Sequence, residues 1–121
     1  MWMLRKEVEI DAAHRLDSHP GKCANLHGHH WLITFEISTD KLTEMDMVVD
    51  FGTLSAMARE LDHMFINEHE AFKIMLPTAE NMACYFAHRV ALENPHISMV
   101  RVTVEETPGA EVSYECQNSS E

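Results

Sequence analysis

Four segments of this 121-residue chain alternate apolar and polar residues, and the two segments between them repeat at helical spacing. In the first, Trp2, Leu4, Val8, Ile10 and Ala12 share one parity, while Arg5, Glu7, Glu9 and Asp11 share the other. That period of two belongs to a half-buried strand. A second strand sets Trp31, Ile33, Phe35 and Ile37 against Leu32, Thr34, Glu36 and Ser38. Near the end, Val100, Val102 and Val104 alternate, then Val112, Tyr114 and Cys116, with Thr107-Pro108-Gly109 opening the turn between them. In the middle, Asp50 or Thr53 offers a cap, and Leu54, Met57, Ala58, Leu61, Met64 and Phe65 form one helical stripe. A second helix has Thr78 as N-cap and Glu80 in its first turn, where the helix dipole favours an acid. Its stripe is Ala79, Met82, Ala83, Phe86 and Val90, and Asn94-Pro95 stops it. The order ββααββ predicts an α+β domain: an antiparallel four-stranded sheet with both helices on one face.

The length suits a single domain over residues 1–121, with no repeat and no low-complexity segment. Apolar residues make up 45%, enough for a core, though domains this small often oligomerise. With 20 acids against nine Lys and Arg, the formal charge is −11. This argues against partnership with nucleic acid or an anionic membrane. No apolar run reaches membrane-spanning length and no signal-peptide core opens the chain, so the expected location is cytoplasmic. Cys23, Cys84 and Cys116 are an odd number without framework spacing and read as reduced thiols.

Nine histidines are the unusual count, and strand parity sorts them. His14 continues the inward phase of Ile10 and Ala12, while His27 and His29 share the parity of Trp31 and Ile33. His30 points the other way. Two imidazoles from one strand and one from another can converge on a metal and leave a fourth position open. Zinc is the default catalytic ion for such a set, and iron or nickel accepts the same three nitrogens. Cys23, four residues before His27, would have its thiol pKa lowered by a nearby cation; a fourth ligand or an inert thiol fits the spacing equally. Asp62-His63, near the end of the first helix, is an acid–base pair only if a local bend or another partner brings the two together. Glu106 shares the inward parity of Val100, Val102 and Val104 and so needs a partner. A guanidine-like ligand edge, a strand-end salt bridge, or a bulge turning it outward would each meet that need. His19, His69, His88 and His96 read as surface residues.

Several segments occur in an order that resembles the 6-pyruvoyl-tetrahydropterin synthase family. They are Ile10-Asp11-Ala12-Ala13-His14, Cys23-Ala24-Asn25-Leu26-His27-Gly28-His29, Val49-Asp50-Phe51-Gly52, Leu61-Asp62-His63, Pro77-Thr78-Ala79-Glu80-Asn81 and Glu106-Thr107. Within it, the Cys-x-x-x-His-Gly-His spacing is similar to the 6-carboxy-tetrahydropterin synthases, the QueD branch of queuosine biosynthesis. The resemblance implies a tunnelling fold (T-fold), whose subunits form trimeric barrels that stack as a homo-hexamer with active sites between subunits. It implies one zinc per subunit on His14, His27 and His29, with Cys23 as general base and His63 assisting, backed by Asp62. It places the pterin's amino-pyrimidine edge on Glu106, with Thr107, Thr78 and Glu80 nearby. The implied reaction takes 7,8-dihydroneopterin triphosphate and water to 6-carboxy-5,6,7,8-tetrahydropterin, acetaldehyde and triphosphate. Two alternatives are triphosphate elimination, as in 6-pyruvoyl-tetrahydropterin synthase, and non-catalytic zinc or pterin binding. Ile10, the Asp46-Met47 pair and the extra His30 depart from the usual family pattern without removing a ligand or base.

Overall fold

The computed structural model describes residues 1–17 and 19–118, the side chain of Cys23 excepted. The element order is β1 (Trp2–His14), β2 (His27–Thr39), α1 (Phe51–Arg59), α2 (Ala79–Glu93), β3 (Met99–Thr107) and β4 (Ala110–Gln117). The four strands form one sheet in the order β1-β2-β3-β4, every neighbouring pair antiparallel. The predicted ββααββ architecture is therefore the observed one.

Alternation sets the two faces. Val8, Ile10, Trp31, Ile33, Phe35, Val100, Val102 and Val104 are buried and make one core with Leu54, Met57, Met82, Phe86 and Val90 of the helices. Trp2 shares the inward parity but is half exposed at the first position of β1. The Asp50 carboxylate caps α1 by accepting the Gly52 N–H at 2.8 Å. The Thr78 hydroxyl caps α2 by accepting from Asn81 N–H at 3.1 Å. Such caps contribute about 1 kcal/mol each by satisfying an otherwise orphaned donor. No helix among the described residues is long and apolar enough to cross a membrane.

The first helix is shorter than its apolar stripe. It ends at Arg59, and Leu61 to Phe65 continue through turns, although Leu61 is fully buried. The chain bends at His63, whose φ of 58° lies in the left-handed region. It then runs beside the end of β1: His63 N–H donates to Asp11 O at 2.6 Å, and Ala13 N–H to Met64 O at 3.0 Å. A parallel bridge joins Ala13 and Phe65.

Candidate metal centre

The ends of β1 and β2 bring the three inward histidines together. His14 and His27 are cross-strand partners, and His29 lies opposite Ala12. Ring centroids are 4.5 Å apart for His14–His27, 5.1 Å for His14–His29 and 4.8 Å for His27–His29. Trp31 packs edge-on against His14 and His29 at 5.0 and 5.3 Å, and its indole N–H donates to Ala12 O at 3.1 Å. The indole is thereby fixed as a wall of the cluster.

Backbone carbonyls decide which ring nitrogens face inward. His14 Nδ1 is 2.8 Å from Pro77 O, and His27 Nδ1 is 2.7 Å from Asn25 O. A carbonyl only accepts, so each Nδ1 carries the proton and each Nε2 offers its lone pair. His14 Nε2 and His29 Nε2 are buried with no hydrogen-bond partner. Leaving such a group unpaired costs about 1–3 kcal/mol. Burial also pushes the pKa values of His14 and His29 below the ordinary histidine value, against the raising effect of the Pro77 carbonyl on His14 and of Glu106 on both. Neutral imidazoles with unpartnered, converging nitrogens are what a cation requires. Donor atoms of His14, His27, His29 and Glu106 all lie within 4.8 Å of one another, so the donor set fits a metal ion.

Glu106 arrives there through a β-bulge. The β3–β4 register shifts between Glu105 and Thr107, leaving Glu106 outside the regular pairing. The bulge does not turn the side chain away: Glu106 Oε1 is 3.1 Å from His29 Nε2, close in distance but out of line for a hydrogen bond. Glu106 also lines a cleft of about 270 Å³ with Glu80, Ala110 and Val112. It stands at the boundary between the donor cluster and that cleft. Thr78 is engaged as the α2 cap, and Thr107 is exposed at the hairpin.

Asp62 and His63 form a second, separate cluster with the outward-facing Asp11. The bend at His63 resolves the problem of adjacent helix positions, since its Nδ1 reaches Asp62 Oδ1 at 3.1 Å. Asp62 Oδ1 also accepts the Asp11 N–H at 2.9 Å, and this bond chiefly holds the carboxyl below its usual pKa. His30 belongs to the same outer face. Its Nδ1 meets Asp11 at 2.8 Å and its Nε2 meets Glu9 at 3.3 Å, and the Asp11 hydrogen bond raises its pKa most. Cys23 lies in the 3-10 turn Lys22–Ala24, and its side chain is outside the described residues.

Sequence reasoning did not find the Pro77 and Asn25 carbonyls, because a backbone acceptor leaves no residue signature. Trp31 was legible only as core, though it repeats the parity of His27 and His29. The four histidines read as surface residues each make a local hydrogen bond: His19 Nδ1 accepts from Gly21 N–H, His69 Nδ1 from Ala71 N–H, the His88 ring bonds the Tyr114 hydroxyl, and the His96 ring bonds Val48 O.

A sheet of this topology is found in known proteins. The chain belongs to the 6-pyruvoyl tetrahydropterin synthase family, whose model matches residues 3–117. It is 38% identical to the probable 6-carboxy-5,6,7,8-tetrahydropterin synthase of Halobacterium salinarum, over 85% of this chain and 79% of that protein. It is 31% identical to the 6-carboxy-5,6,7,8-tetrahydropterin synthase of Haemophilus influenzae, over 95% of this chain and 99% of that protein. The fold is shared with a catalytic-residue mutant of Plasmodium vivax 6-pyruvoyltetrahydropterin synthase, with a TM-score of 0.66, 17% identity and coverage of 97% and 99% of the two chains.

Proposed function

We propose that this chain is a zinc-dependent 6-carboxy-5,6,7,8-tetrahydropterin synthase. It would act as a carbon–carbon lyase on 7,8-dihydroneopterin triphosphate, with acetaldehyde and triphosphate as co-products, in queuosine and related 7-deazapurine biosynthesis. The observation that carries the reading is the convergence of three imidazoles, two of them with a buried and unpartnered Nε2, in a chain whose relatives bear that name. His14, His27 and His29 would hold one zinc per subunit, which would supply Lewis-acid polarisation of substrate hydroxyls.

The chain's own groups do the rest. Cys23, four residues before His27 in the sequence, is the general base. His63, oriented by Asp62, moves a proton on another face of the substrate. Glu106 takes the amino-pyrimidine edge of the pterin through two parallel hydrogen bonds, with Thr107, Thr78 and Glu80 around the same rim. The Asp62–His63 pair forms a donor group distinct from that of the three inner histidines, and a site shared between subunits would bring both kinds of group to one substrate. β4 has a free edge for strand pairing, and β1 has one over its first half, before the Asp62–Asn67 segment runs beside it. Both features are compatible with the homo-hexamer of two stacked trimers that the family resemblance implies, and the expected location remains the cytoplasm.

The test is incubation of the zinc-loaded protein with 7,8-dihydroneopterin triphosphate, followed by mass analysis. Acetaldehyde and the 6-carboxy product support the proposal. A 6-pyruvoyl product without acetaldehyde would replace it with the triphosphate-eliminating activity. A second reading, a closed non-catalytic zinc site, draws on the place of Glu106 among the four donors. Glu106→Gln separates the two: retained zinc with a raised KM supports the pterin anchor, and lost zinc supports the closed site.

A further inference from the structure

His14 is the last residue of β1 and its partner His27 is the first of β2. A proposed metal ligand therefore sits on the final step of the ladder, where strand ends open most readily. Arg15, one residue further, has the parity of Asp11 and Ala13, whose backbone groups face the edge of β1 away from β2. On that edge its backbone is held by one side chain. Arg15 N–H donates to Asn67 Oδ1 at 2.9 Å, and Asn67 Nδ2 donates to Arg15 O at 2.9 Å. A single amide thus supplies both bonds that one more strand residue would have made.

The clamp is itself anchored. Asn67 follows Ile66, which is fully buried, and the Arg15 guanidinium lies 5.6 Å over the Phe65 ring. The segment from Asp62 to Asn67 satisfies β1 backbone groups at three alternate residues. Asp62 Oδ1 accepts the Asp11 N–H, Met64 O accepts the Ala13 N–H, and Asn67 takes Arg15. The two ends of this segment depend on side chains and the middle on backbone.

We infer that Asn67 is a positioning residue for the metal centre. Its amide fixes the residue next to His14 along the outer edge of β1 and so holds that imidazole where Nδ1 meets Pro77 O and Nε2 joins the His27 and His29 cluster. The inference rests on the metal-site reading above. Asparagine is suited to the place because it carries an acceptor and a donor together. Aspartate would keep the acceptor but set a carboxylate against the Arg15 carbonyl, and alanine would supply neither.

The test loads wild-type protein, N67A and N67D with Co2+ and records the visible absorption bands, with affinity from chelator competition. Groups that orient metal-ligating histidines typically alter affinity 10- to 100-fold, so N67A is expected to bind Co2+ about ten-fold more weakly. Its bands should shift, and N67D should fall between it and wild type. A loop anchor alone would lower the melting temperature while leaving the bands unchanged and affinity within about two-fold, inside ordinary surface-mutant scatter. That outcome overturns the inference. If N67A does not fold, N67D is read alone by the same two criteria. If wild-type protein takes up no Co2+, the metal-site reading fails first and the inference falls with it.

Discussion

The two histidine clusters lie on opposite sides of β1 and use the same side chain in opposite ways. His14 is 1% exposed, and burial holds it and His29 neutral. Its Nδ1 is spent on a carbonyl and its Nε2 left without a partner. His30 and His63, on the outer side, are exposed and paired to carboxylates. Backbone regularity differs too. The inner three stand on a continuous antiparallel ladder, whereas His63 sits at a positive φ that costs on the order of 1–3 kcal/mol. A rigid ladder suits a group that must offer a lone pair at a fixed point. A turn tied to an acid suits a group that must exchange a proton.

If that division is right, substitutions on the two sides should have separable effects. His14→Gln should abolish stoichiometric zinc in elemental analysis and lower kcat on the order of 10³-fold or more. Full zinc occupancy in this variant would break the comparison at its inner side. Cys23→Ala should retain zinc yet lose turnover, by on the order of 10²- to 10⁴-fold for a missing general base. Wild-type turnover with normal metal content would remove Cys23 from the chemistry. His63→Ala should also keep its zinc, with kcat lower by on the order of 10²-fold. Zinc loss there would mean that the outer cluster is not independent of the inner one. Asp62→Asn should have a smaller effect, on the order of ten-fold in kcat, because the amide oxygen can still accept the Asp11 N–H.

The inner cluster was almost wholly legible in the sequence, because parity along a strand is a strict period and His14, His27 and His29 obey it. The exclusion of His30 followed from the same rule, and its two carboxylate partners explain where it went. The outer cluster was legible only in part: Asp62-His63 was a pair on condition of a local bend, and the bend at His63 is there. Leu61, Met64 and Phe65 keep helical spacing past the point where α1 stops, so periodicity carried the expected helix through Asp62 and His63. Nothing in the residue types announced a left-handed conformation at His63. Glu106 fell between these cases. Parity pointed it inward, but the bulge that aims it breaks the period on which parity rests. The Asn67 clamp spans 52 positions and involves only a backbone partner, so neither composition nor spacing could disclose it.

The smallest expected effect is a pH dependence whose sign reverses across β1. In zinc-free protein, His14 and His29 have folded pKa values below the unfolded value of about 6.5, so the unfolded chain binds more protons just beneath that pH. Their contribution to stability is complete above about pH 6.5 and declines as pH falls through the window down to their folded pKa values. His30 is shifted upward by Asp11 and Glu9, so its contribution is complete below about pH 6.5 and is lost as pH rises through its folded pKa. The two sides therefore oppose each other over the pH range either side of about 6.5, above the range in which ordinary carboxylates titrate. Thermal unfolding of chelator-stripped protein across this range reads the balance. His14→Phe should flatten the loss of melting temperature on acidification, and His30→Ala should steepen it. Shifts of the same sign in both variants would show that the two faces of β1 do not impose opposite protonation preferences.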